Sequence, residues 1–103
     1  MIEEKKDGIK IFEELGFTRQ EAIELDFRSE LLSALIKLKK ELKYSSKELA
    51  TISGHKESYI KDMLKGEIDK VKSDDIVNIL ASINAEVAVT VSLPSAKVEI
   101  YSE

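Results

Sequence analysis

Leu31, Leu35, Leu38 and Leu42 recur at steps of four, three and four. That spacing lines one face of a helix and predicts a long one over residues 26–43. Upstream, Thr18 and Glu21 have the form of a capping box, with Thr18 as N-cap. Residues 9–15 suit either a short strand or a helical turn, broken at Gly16. Ser45 and Glu48 form a second capping box, opening a short helix that reaches about Ser53. Gly54 ends it in a turn that needs positive φ. Another helix is expected over residues 56–65, with Ile60, Met63 and Leu64 inward and Gly66 closing it. Ser73 is the expected cap of a last helix, whose Ile76, Ile79, Leu80 and Ile83 share a face, and Asn84 suits a left-handed closing position. The period then drops to two. Val87, Val89 and Val91 alternate with Ala88 and Thr90, a strand with one apolar face. Pro94 interrupts, and residues 97–101 fit a second short strand. One or two strands are not stable alone in water, so they must pack on the helices or pair with another chain.

At 103 residues with 43% apolar and 35% charged side chains, the chain has the size and balance of one globular domain. No apolar run reaches the roughly 20 residues that span a bilayer. Without cysteine there is no disulfide framework and no thiolate metal site, and a cytoplasmic location is expected. The formal net charge of −4 is unusual for a DNA-binding protein, but it is unevenly spread. Residues 1–25 hold seven acids against four bases, whereas residues 43–72 hold seven lysines against five acids. The chain is acidic at its head and mildly basic in its middle.

Signs of catalysis are few. There is no glycine-rich phosphate loop, metal-spaced His/Cys cluster or nucleophile elbow, so neither an enzyme nor a bound cofactor is expected. His55, the single histidine, falls in the turn between the two short helices. It reads as a partly buried turn residue ahead of a phosphate contact. Asp74 and Asp75 suit a helix start, where carboxylates meet the favourable end of the dipole.

The informative constellation is the helix-turn-helix. Two short helices around a tight turn need a small residue where they touch, a permissive turn and an apolar anchor on the second helix. Ala50, Gly54 and Ile60 stand at those offsets, with Leu49 also inward.

Residues 44–66 resemble the XRE (Cro-like repressor) helix-turn-helix family through Glu48-Leu49-Ala50, Gly54, Ile60 and Gly66. The likeness extends over about residues 12–92. Asp26-Phe27-Arg28 before the long helix, and the run from Ile79 into a valine-rich strand, are similar to HigA-type antitoxins. The implied architecture is mainly α: a five-helix Cro/repressor-like bundle with a short C-terminal β-strand or hairpin. Residues 1–17 would be an acidic and apolar extension, 18–84 the DNA-binding domain and 85–103 a dimerisation segment carrying Val87, Val89 and Val91. The resemblance implies a homodimer on a palindromic duplex, with Glu57, Ser58, Lys61 and Asp62 facing base edges and Ser46, Lys47, Lys56 and Lys65 facing phosphates. It also implies a basic ribonuclease toxin as partner.

Several positions depart from the family pattern. Ser46 stands where a glutamine commonly braces, Ser53 replaces an apolar residue, and His55 replaces the usual valine or isoleucine. Glu57 takes the place of a base-reading glutamine, and Asp62 that of a frequent arginine. A carboxylate can accept from cytosine N4, yet it faces phosphates whose neutralisation supplies most of the affinity. Two rival readings follow: a stand-alone repressor without a toxin, and a protein-binding module that has lost DNA. Phe12, Glu13, Glu14 and Phe17 are the expected toxin contacts, the alternative being that this segment covers the domain's own core.

Overall fold

The computed structural model describes the backbone of residues 7–93 and 96–102 and the side chains of residues 8–89. Among them are five α-helices, one 3-10 turn and a β-hairpin: α1 (Asp7–Glu14), α2 (Arg19–Leu42), α3 (Ser46–Ser53), α4 (Glu57–Leu64), the 3-10 turn (Ile68–Lys70), α5 (Ser73–Ser82), β1 (Val87–Leu93) and β2 (Ala96–Ser102). The mainly helical bundle with a terminal hairpin is the architecture expected from the sequence.

Both capping boxes form. Thr18 Oγ1 accepts from the Glu21 amide at 3.1 Å while Glu21 accepts from the Thr18 amide at 2.9 Å. Ser45 and Glu48 repeat the exchange at 3.0 and 2.8 Å. Each box satisfies amides that a helix start leaves without partners. The first has a larger consequence than anticipated, because α2 begins at Arg19 and runs unbroken to Leu42. The expected start near residue 26 is therefore corrected. At about 100° per residue, Ala22 lies about 140° to 180° around the helix from Leu35 and Leu31, whereas Leu25 falls within about 20° of Leu32. The N-terminal half of α2 buries Ala22 and Leu25 against α1, and the C-terminal half buries Leu31, Leu32 and Leu35 in the bundle. Leu25, Leu32 and Leu35 thus share a face, from which Ala22 stands apart.

The segment over residues 9–15 is helical rather than extended and forms the body of α1, which packs on α2. Gly8 lies so close to Asp26 that any Cβ there would run into the carboxylate. Residues 1–6 of the expected extension lie outside the described residues.

The core joins Leu31, Leu32 and Leu35 to Leu49, Ala50, Ile60, Met63, Val71, Ile76, Ile79, Leu80 and Ile83. Ser73 is the first residue of α5 and not its cap; Lys72 takes the N-cap position without a side-chain bond. Asn84 closes the turn after α5 with φ 66°, as expected. The chain then enters β1, which pairs antiparallel with β2 from Val87↔Ser102 to Leu93↔Ala96. The intramolecular hairpin, one of the two alternatives for the terminal strand, is thus present. Ala85 and Val87 anchor its base on the core.

Candidate nucleic-acid interface

The helix-turn-helix is built from the inside outward. Leu49, Ile60 and Met63 are fully buried, and Ala50 is small enough to let α3 and α4 meet. Gly54 caps α3 with φ 85°, its amide donating to the Ala50 carbonyl at 2.9 Å. Three residues later α4 begins, with Lys56 at its N-cap. Ser53, at a position the family fills with an apolar side chain, turns its hydroxyl onto the Leu49 carbonyl at 2.7 Å and so leaves no orphaned donor.

Two side chains tie α4 and its turn to α5: Tyr59, which sequence reasoning missed, and His55. The Tyr59 hydroxyl donates to Asp75 Oδ2 at 2.6 Å, and His55 Nε2 lies 3.1 Å from Asn78 Oδ1. The His55 and Tyr59 rings also touch, with centroids 5.6 Å apart. Asp75 and Asn78 are one turn apart on α5, so turn and recognition helix are tied to a single face of that helix. Burial, and next the bond to Asp75, raises the Tyr59 pKa above its ordinary value of 10.0. The available signal was Tyr59 itself: a large side chain beside the core residue Ile60 needs a partner for its hydroxyl once buried. Asp75, 16 residues away, carries no such mark. His55 is the half-buried turn residue expected.

On the outer surface, Ser58, Lys61 and Asp62 are exposed and Glu57 is half-buried. The acidic residues are not simply set among lysines. Lys61 Nζ lies 3.3 Å from Glu57 Oε2, and Lys65 Nζ lies 3.5 Å from Asp62 Oδ1. Both spacings bring side chains together on a helix surface. Of the residues expected to face phosphates, Lys65 is therefore held by a carboxylate and Ser46 is half-buried. Lys47 and Lys56 are exposed and have no ion-pair partner among the described residues.

Arg28, quoted above only as part of a likeness, bridges α2 to the loop after α4. Its guanidinium donates to the Ile68 carbonyl at 2.7 Å and pairs with Glu24 at 3.4 Å. Among the described residues no group of histidine, cysteine or carboxylate side chains is arranged to hold a metal. No helix among them is long and apolar enough to cross a membrane.

Gly54 in its turn, Ala50 at the contact, Ile60 in the core and a solvent-facing α4 constitute a complete helix-turn-helix. The helix-turn-helix domain family HTH_37 matches residues 11–92. The chain belongs to that family. The HTH_37 domain is of the XRE/Cro-like kind, a domain type that carries DNA-binding regulatory function. Its matched span begins inside α1 and ends within β1, so the family takes in the helical hairpin as well as the reading head. No curated protein and no solved structure matches the chain.

Proposed function

We propose that this HTH_37 protein is a transcriptional regulator acting as the antitoxin of a HigB/HigA-like pair. It neutralises a basic ribonuclease and represses the operon that encodes both. The supporting observation is the division of the molecule. One end carries the braced helix-turn-helix; the other carries an acidic head with Ile11, Leu15, Phe17 and Ile23 exposed. Four of the seven large exposed apolar side chains among the described residues fall there. Phe12 and Phe17 meet edge to face at 6.1 Å, and Glu13 is paired to Arg19 at 3.3 Å. Two of the four expected toxin contacts, Phe12 and Glu13, are thus half-buried within the head itself, while Glu14 and one side of Phe17 face solvent. Opposed charge speeds and selects association, and the aromatic anchors supply the larger share of affinity.

The reading without DNA draws support from the two lysine–carboxylate pairs on α4, which blunt its positive charge. Both questions are decided on the protein's own promoter. A dimer neutralising roughly 4–6 phosphates gives a log–log salt slope of about −4 to −5. Glu57→Gln is expected to relax the choice of base at one position of each half-site. A promoter fragment left unprotected from cleavage at low salt would favour the protein-binding module. The toxin reading predicts a neighbouring gene for a small, strongly basic protein that co-purifies with this chain; an isolated gene would leave the stand-alone repressor.

A further inference from the structure

A segment more positive than the recognition helix leads into the reading head. Residues 37–48 hold five lysines against Glu41 and Glu48, a net of +3, whereas residues 56–65 hold three lysines against two acids, a net of +1. At the corner where α2 hands over to α3, an open groove of about 350 Å³ is lined by Ile36, Lys39, Lys40, Lys43, Tyr44 and Leu64. Lys43 sits at the α2 C-cap in the left-handed conformation, φ 62°, which turns the chain sharply into Tyr44 and the Ser45 cap of α3. Leu64 is the last residue of α4 and Tyr44 directly precedes the Ser45 cap of α3, so the groove borders the end of one helix of the reading head and the approach to the other. None of Lys39, Lys40, Lys43 and Lys47 has an ion-pair partner among the described residues, in contrast to Lys61 and Lys65.

We propose that this corner is the main phosphate-binding site of the protein, a role nothing above assigns to Lys39, Lys40 or Lys43. The proposal rests on the DNA-binding reading and deepens it. A helix-turn-helix lays its first short helix across the sugar–phosphate backbone while the second enters the groove. The backbone that passes the start of α3 therefore meets the end of α2 as well. Unpaired lysines there release counterions without first breaking an internal contact, whereas Lys61 and Lys65 must leave Glu57 and Asp62 to do so. The apolar floor from Ile36, Tyr44 and Leu64 supports the methylene stems of the lysines and leaves their ammonium groups at the rim. Compensation of the α2 dipole explains basic residues in its last turn. It accounts for neither Lys47, in the first turn of the next helix, nor the apolar groove beside the α2 lysines.

The test uses a 30-base-pair mixed-sequence duplex, whose binding is governed by phosphate contacts. Affinity is measured against salt for the full chain, for a Lys39→Gln/Lys40→Gln/Lys43→Gln triple variant and for a Lys61→Gln/Lys65→Gln double variant, each checked for native thermal unfolding. The triple variant is expected to flatten the log–log slope by about 1 to 2 for each protomer engaged, and the double variant by less than about 0.5. Should the native protein bind and the triple variant keep its slope, the corner is not the phosphate site and the DNA reading stands; retention of an acidic peptide by that groove would then make it a protein-docking surface. A steeper loss in the double variant would return the role to α4. A native protein that binds no duplex would overturn this assignment and the DNA reading together.

Discussion

Tyr59 carries two duties in one side chain: its ring covers the edge of the core, and its hydroxyl tethers the recognition helix to Asp75. Tyr59→Phe keeps the ring and removes the tether, with an expected loss of about 1 to 2 kcal/mol. The effect carries a pH signature. The folded-state pKa is raised, so the neutral phenol is the form the fold favours. Its contribution is complete below the ordinary value of 10.0 and is lost as pH rises through the higher folded value. The gap in urea midpoint between native protein and Tyr59→Phe should accordingly narrow between pH 8 and pH values above about 10. A gap that is flat or widens would show that the hydroxyl contributes nothing specific. Ile60, next in sequence, was legible as core from its spacing alone. Tyr59 was not, because a tether belongs to two residues and the sequence displays only one at a time.

At the scale of elements, the starts of α2 and α3 were the most legible features, since a capping box is a local motif whose partners stand three residues apart. The course of α2 between its ends was less so. Its first turns pack on α1 outside the bundle core, and Ala22 lies off the face that Leu25, Leu32 and Leu35 share, so the apolar period is plain only from Leu31 onward. The hairpin poses another problem of partnership. β2 satisfies one edge of β1, and the other edge retains its row of backbone groups. Val87 and Val89 are half-buried, while the side chain of Val91 lies outside the described residues. Pairing that outer edge with a two-fold copy would join two hairpins into a four-stranded sheet and set recognition helices about 34 Å apart. Val89→Pro removes a donor and bends the strand. In sedimentation the variant should run as a monomer with the helical signal unchanged; a persistent dimer would move the interface to another surface.

For the whole molecule the question is what the head contributes. α1 packs on α2 and supplies no side chain to the bundle core. A protein lacking residues 1–17 is therefore expected to stay folded and to bind DNA while failing to neutralise the toxin. Exposure of Ala22 and Leu25 should cost about 1 to 3 kcal/mol, measurable as a lower unfolding midpoint. A truncated chain that unfolds would mean the head is part of the fold. One that neutralises normally would remove the head from the toxin contact. The charge division between head and middle could be read directly from the sequence. The pairing of Lys61 and Lys65 was legible too, since Glu57 and Asp62 stand four and three residues before them on one helix; the groove beside Lys39, Lys40 and Lys43 was not, because Leu64 reaches it only through the fold.

The unbroken course of α2 has a consequence for variation. A 24-residue helix is about 36 Å long, so the solvent-facing residues of the head and the lysines at its far end share no contacts. Over such separations the free energies of substitutions add. Changes at Leu15 or Phe17 can retune one encounter while Lys39, Lys40 and Lys43 hold the other constant. On the proposed reading, a lineage could exchange its protein partner and keep its operator, or the reverse, in single steps that never require a compensating change across the molecule.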